Sequence, residues 1–237
     1  LAYTYFAWNN RLPQFDDARV RRALTMLIDR EAIAKGLYGG LARPANGPLP
    51  PGLWPYDPTL APLPYDPTKA AALLDEAGFR KGKDGVRAKG ATRLSFSLTF
   101  GAGSDRQRQI PELAQRSFRE AGIEMALAPM EWGAFVEKVD AGDYEACALS
   151  LNLDPNPDLR PNWHSSQVPP HGMNHAFYRS PKADALMDEI ATTFDREKAR
   201  ALYAEAQRVI AQDQPFTFLH TVSVAWGVRD RVGSVAT

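Results

Sequence analysis

Apolar residues recur at two periods along this chain, and the switches between them predict its elements. In "LAYTYFAW" (1–8), Tyr3, Tyr5 and Ala7 alternate with Thr4, Phe6 and Trp8, the β-prone pattern of a strand. From 15 to 40, "FDDARVRRALTMLIDREAIAKGLYGG" changes to the helical period, with Val20, Ala23, Leu24, Leu27 and Ile28 on one face. That stretch predicts a helix capped by Asp16 or Asp17 and stopped by Gly39 and Gly40. Asp66-Pro67 places a capping acid before a proline at the first helical position, and the helix it opens ends at Gly78. "LSFSLTF" (94–100), "IEMALAPM" (123–130) and "YEACALSLNL" (144–153) read as strands, separated by helical stretches over 104–122 and 131–142. Ser180-Pro181 opens another helix, and Asp195 caps one that Pro215 ends. "FTFLHTVSVAWGV" (216–228) then reads as one or two strands.

Strand, helix, strand, helix, strand at these lengths predicts a parallel or mixed sheet flanked by helices, hence an α/β fold. Residues 42–67 interrupt the pattern with nine prolines, too many for regular structure. Leu49, Leu53, Trp54, Tyr56, Leu60, Leu63 and Tyr65 in that stretch predict a long ordered loop packed on the body rather than a free linker.

Composition narrows the class by exclusion. The 28 basic and 28 acidic residues among 237 cancel without forming blocks, so no nucleic-acid surface or polybasic membrane patch is expected. No stretch reaches the ~20 apolar residues of a membrane span. The start, inside a strand, has no signal-peptide pattern and reads as a cut from something longer. Cys147 is the single cysteine, in the apolar run "YEACALSL", and is expected to be a small buried hydrophobe rather than a nucleophile.

Catalytic and metal motifs are weak. Gly101 and Gly103 begin a dinucleotide fingerprint, but Arg106 stands where the third glycine belongs, so a plain strand-to-helix turn is expected. His171 and His175 have the spacing of a zinc pair on a helix, yet Gly172 and the preceding "VPP" argue for water-exposed loop histidines. No cofactor and no metal are expected. The stretch "LDPNPDLRPNW" (153–163) carries the most suggestive chemistry. Asp154, Asn156 and Asp158 fit positions one, three and five of a calcium loop, but Leu159 and Ser165 occupy the positions of the turn glycine and the bidentate glutamate. Pro155 and Pro157 stiffen the segment just past the carboxyl end of the third strand of the α/β run, where open α/β sheets place ligand contacts. A solvated turn, a ledge presenting one acid, and a pair of hydrolytic carboxylates (Asp154 and Asp158) remain as readings.

"FDDARVRRALTMLIDREAI" (15–33), "GGLARPANGPLPPG" (39–52) and "YDPTKAAALLDEAGF" (65–79), in this order, resemble the family 5 extracellular solute-binding proteins, the dipeptide and oligopeptide receptors of ABC importers. "EWGAFVEKVDAGDYEACALSLNLDPNPD" (131–158), "GMNHAFYRSPKADALMDE" (172–189) and "REKARALYAEAQRVIAQDQPFTFLH" (196–220) continue the resemblance through nearly the whole chain. It implies a periplasmic-binding-protein-like (type II) lobe with a mixed sheet: a hinge strand over 1–12, the ligand-binding lobe over 13–213, and strands over 214–237 returning toward an amino-terminal lobe. It also implies a peptide ligand, ABC permease partners, and a periplasmic or extracellular location, with no enzymatic activity. Other ligands known in the family are a nickel chelate, haem or an oligosaccharide. Asp154 matches the acid that pairs with a peptide's α-amino group. Asn152, Asn174, Trp132 and Trp163 are further candidate ligand residues. Leu151 departs from the tryptophan that the family often carries there, removing an aromatic from the pocket wall. Without a second lobe, the strands of 1–10 and 216–228 are expected to fray or to pair with another chain.

Overall fold

The computed structural model describes residues 1–103 and 105–222, with residues 105–107 described by backbone alone. A six-stranded mixed sheet in the order β2-β9-β1-β8-β6-β7 forms its centre. β1 (Ala2–Trp8) leads into α1 (Ala18–Met26), α2 (Arg30–Tyr38) and β2 (Ala42–Pro44). After the proline-rich loop come α3 (Pro67–Glu76) and a small separate sheet of β3 (Arg80–Lys81), β4 (Arg87–Lys89) and β5 (Thr92–Arg93). β6 (Ser95–Gly101), α4 (Asp105–Glu120), β7 (Glu124–Met130), α5 (Trp132–Asp140) and β8 (Ala146–Asn152) form the α/β run. α6 (Arg160–Trp163), α7 (Pro181–Thr192), α8 (Arg196–Asp213) and β9 (Phe216–Val222) complete the described chain.

The predicted long helix over 15–38 is two helices. Asp17 caps α1 through Arg19 N, and Asp29 caps α2 by accepting from Ala32 N at 2.9 Å. The apolar period continues through Leu27 and Ile28, so the pattern concealed a break that the second cap creates. Gly39, at φ +57°, closes α2 as expected. The caps at Asp66, Ser180 and Asp195 are formed as the sequence predicts.

β6 runs parallel to both β7 and β8, while β1 runs antiparallel to β8 and β9. Within this chain both terminal strands have partners. β1 is flanked on both sides, and β9 lies between β1 and β2. Their side chains form the middle of the core. Tyr3, Tyr5, Phe216 and Phe218 share one face with α5, α7 and α8, and Phe6, Trp8 and Leu219 share the other with α1, α3 and α4. The part of the expected terminal strands beyond Val222 lies outside the described residues. Edge strand β7 is blunted by Pro129 and by Gln115, whose amide donates to Met125 O at 2.8 Å.

The proline-rich loop is ordered, as its apolar residues predict. Leu49 and Leu53 are buried. Gln207 of α8, fully buried, donates to Pro55 O at 2.8 Å and accepts from Asp57 N at 3.2 Å. Arg30 binds the loop from the other side, donating to Ala45 O, Phe218 O and Leu63 O.

Candidate ligand-binding site

α4, which follows β6, packs on one face of the sheet, and α7, which follows β8, packs on the other. β6 and β8 are neighbours, so the chain diverges between their carboxyl ends, the position at which open α/β sheets hold ligands. The strand ends there are stepped. β6 and β7 stop level with each other, Gly101 opposite Met130, whereas β8 continues past Ala148 to Asn152 with β1 alone as its strand partner.

The segment leaving β8 is pinned at its base and free at its crest. Leu153 N donates to Leu1 O at 2.8 Å. Pro157 is buried and its carbonyl accepts from Tyr203 OH at 2.5 Å, while Leu159 is buried in the core. Asp158 turns its carboxylate to Arg160 N at 2.9 Å. Between these anchors Asp154, Pro155 and Asn156 are exposed. Alternating prolines leave such a crest little conformational freedom to lose on binding. It is a rigid ledge, the arrangement an acid needs to meet an ammonium with small reorganisation.

Three of the five candidate residues meet at this end. Asp154 and Asn152 are exposed on the ledge. Trp132, 59% exposed, opens α5 at the end of β7 and lies over Gly101. The other two are interior, contrary to expectation. Trp163 is 1% exposed, with its ring 4.4 Å from Phe216 and 5.7 Å from Phe218. Asn174 is fully buried, and its amide donates to His164 O and Tyr178 O and accepts from Tyr178 N at 3.0 Å. Packing against β9 decides the first and backbone hydrogen bonding the second; both shape the segment behind the ledge. Sequence reasoning missed Tyr203 and Gly101, because a residue that receives a backbone carbonyl or yields space to an indole carries no motif.

His175 also departs from expectation. His171 is exposed, but His175 sits against Tyr5, with Nδ1 3.3 Å from the phenol oxygen, and its carbonyl accepts from Tyr144 OH. Burial pulls its pKa down to about 4, partly opposed by the Asp140 carboxylate. The same burial pushes the Cys147 thiol and the Tyr144 phenol up, so Cys147 is the inert hydrophobe expected. Because the folded state holds His175 neutral below its ordinary 6.5, the unfolded state binds the extra proton between pH 6.5 and 4. Stability is therefore full above pH 6.5 and falls by about 2–3 kcal/mol as pH drops toward 4. Urea unfolding at pH 7 and pH 4.5 checks this: His175→Gln should lose markedly less stability on acidification, and an equal loss in both proteins would refute it.

A concavity of about 740 Å³ lies at the opposite, amino-terminal end of β6 and β7, lined by Asp84, Ser97, Glu124 and Glu145 among others. Its central acid is already engaged: Glu145 accepts from Ser97 N at 2.8 Å and from Gln14 Nε2 at 3.4 Å. That cleft is a seam between elements, and the stepped edge is the better site on geometry.

The family model described as "Bacterial extracellular solute-binding proteins, family 5 Middle" matches residues 1–169. The chain belongs to this family. It is 33% identical over 225 residues to the oligopeptide-binding protein AppA of Bacillus subtilis, covering 93% of this chain and 41% of that protein. It is 33% identical over 217 residues to the di/tripeptide-binding protein 2 of Pseudomonas aeruginosa, covering 90% of this chain and 39% of that protein. The solved structure of Bacillus subtilis AppA in complex with a nonapeptide superposes with a TM-score of 0.89 at 32% identity, covering 93% of this chain and 44% of that one. The fold is thus a lobe of a periplasmic-binding-protein-like α/β architecture, and the chain spans about two fifths of the curated relatives it matches. Among the described residues no helix is long and apolar enough to cross a membrane.

Proposed function

We propose that this chain is the ligand-capturing lobe of a peptide receptor that works outside the cytoplasmic membrane and delivers its cargo to an ABC permease. The observation that carries the reading is Asp154, held exposed on a stiff ledge at the divergence of β6 and β8 in a chain of this family. A fixed carboxylate there supplies the counter-charge for a peptide's α-ammonium as the site closes and water leaves. Asn152 beside it offers an amide for a backbone group, and the unpartnered side of β8 beyond Ala148 offers main-chain groups to an extended ligand. No bond is made or broken; capture proceeds by enclosure between this lobe and a second one. The relatives named for oligopeptide and di/tripeptide binding support peptides over other solutes.

Two rival readings draw less on this chain's own side chains. A metal chelate gained appeal from His171 and His175, but His175 is turned inward to Tyr5. A carboxylate hydrolase needs Asp154 and Asp158 to converge on one bond, whereas Asp158 turns an oxygen to Arg160 N at 2.9 Å. Calorimetric titration of the full-length protein with a mixed di- to hexapeptide library, beside hemin and nickel–histidine, tests the proposal. Micromolar or tighter peptide binding is expected. Binding of hemin or nickel–histidine with no peptide bound would replace it.

A further inference from the structure

Resting on the peptide reading, we propose that Tyr203 is a positioning residue for the peptide amine: its phenol fixes the ledge on which Asp154 stands, so that α8 sets part of the affinity for a ligand it never touches.

The crest of the ledge hangs between two hydrogen bonds. Leu153 N on Leu1 O holds its near end at 2.8 Å, and the Tyr203 phenol on Pro157 O holds its far end at 2.5 Å. Asp154, Pro155 and Asn156 lie exposed between them. Burial alone keeps Pro157 near the core, but the hydrogen bond fixes the orientation of its peptide plane. With Pro155 restricted in φ, the crest follows that plane. Asp158 cannot stand in for the phenol, because its bond to Arg160 N spans two residues of the same segment and moves with it. Without the phenol a buried carbonyl loses its donor, and the next anchor is Leu159, 2% exposed.

Tyr203 is itself held. It is 6% exposed, and Trp54 of the proline-rich loop meets its ring edge-on, with centroids 5.4 Å apart and planes at 79°. The Arg196 guanidinium lies over the Trp54 ring at 5.0 Å. One turn along α8, Gln207 donates to Tyr203 O at 3.1 Å and to Pro55 O at 2.8 Å, which ties the helix to the loop that carries Trp54. Burial, and then the Asp158 carboxylate, push the phenol's pKa up, so it is a donor at neutral pH. A carboxylate fixed before the ammonium arrives has little ordering cost to subtract from the ion pair. The phenol therefore acts on the amine contact in particular, beyond what any buried hydrogen bond does for the lobe as a whole.

The test is calorimetry on the full-length protein with the mixed di- to hexapeptide library and with the same library acetylated at its amino termini. Tyr203→Phe keeps the ring and its packing and removes only the donor. It should weaken the free peptides about three- to tenfold, the worth of one hydrogen bond, and leave the acetylated peptides unchanged. In an Asp154→Ala background the same change should have no further effect on the free peptides, since the carboxylate it positions is gone. Pro155→Ala, which loosens the crest without touching the core, should show the same selectivity for free amines. Equal weakening of free and acetylated peptides by Tyr203→Phe, or equal weakening with and without Asp154, would overturn the proposal and make the phenol a support of the whole lobe. Free peptides that bind Tyr203→Phe or Pro155→Ala as tightly as wild type would overturn it too. If wild type binds neither library, the peptide reading itself falls, and the positioning role with it.

Discussion

Replacing Arg30 with methionine lowers the free energy of unfolding by about 3–5 kcal/mol, the range for stripping the partner from buried polar groups. Arg30 opens α2 and is only 5% exposed. Its guanidinium donates to Ala45 O at 2.9 Å, Phe218 O at 2.7 Å and Leu63 O, joining both ends of the proline-rich loop to β9. Burial pulls its pKa down to about 10, which leaves it charged at neutral pH and dependent on these carbonyls for solvation. Methionine keeps the apolar stem and abandons three acceptors, two of them beside proline-rich backbone that has no ladder to fall back on. Lysine should recover only part of the loss, since one ammonium cannot span three carbonyls that a planar fork reaches together. The midpoint of urea unfolding, with an unchanged slope, measures the effect. A loss under about 1 kcal/mol would mean that the carbonyls find water or other donors, and that the loop is not held by this residue.

Asp154→Ala in the full-length protein weakens peptide binding by about 2–5 kcal/mol, roughly thirtyfold or more, because the ammonium then enters the closed site without its counter-charge. Asp154→Asn should recover little: it restores shape and acceptor but not charge. Neither change should move the thermal midpoint appreciably, because Asp154 is exposed and the ledge is anchored elsewhere, at Leu153, Pro157 and Leu159. Peptides blocked by amino-terminal acetylation give the matching control from the ligand side. They should bind the wild-type protein about as weakly as free peptides bind Asp154→Ala. Acetylated and free peptides binding wild type equally would move the anchor away from Asp154 while leaving the receptor reading in place.

Parts of the molecule whose physics is local were legible along the chain. Asp66, Ser180 and Asp195 each cap the helix they precede, because a side chain one to three residues from an orphan N–H needs no distant partner. The strands of the α/β run show their alternation in the same way, and Asp154 stands out by its prolines and its place after β8. Local chemistry also misled once, at Asp29, where an uninterrupted apolar period ran across a helix break.

The sequence by itself determined the α/β class, the helix starts at Asp66, Ser180 and Asp195, the order of the strands and helices of the α/β run and the acid at the strand's end, all consequences of periodicity and short-range hydrogen bonding. Only the tertiary structure decided that β1 lies between β8 and β9, since pairing partners about 140 and over 200 residues away leave no periodic trace. It likewise decided that Trp163 and Asn174 are interior while Trp132 is exposed. A tryptophan that ends a one-turn helix and a tryptophan that starts a longer one look alike until the rings of Phe216 and Phe218 close over one, and Gly101 makes room beneath the other. Burial depends on what folds against a side chain, and that is a property of the assembled lobe.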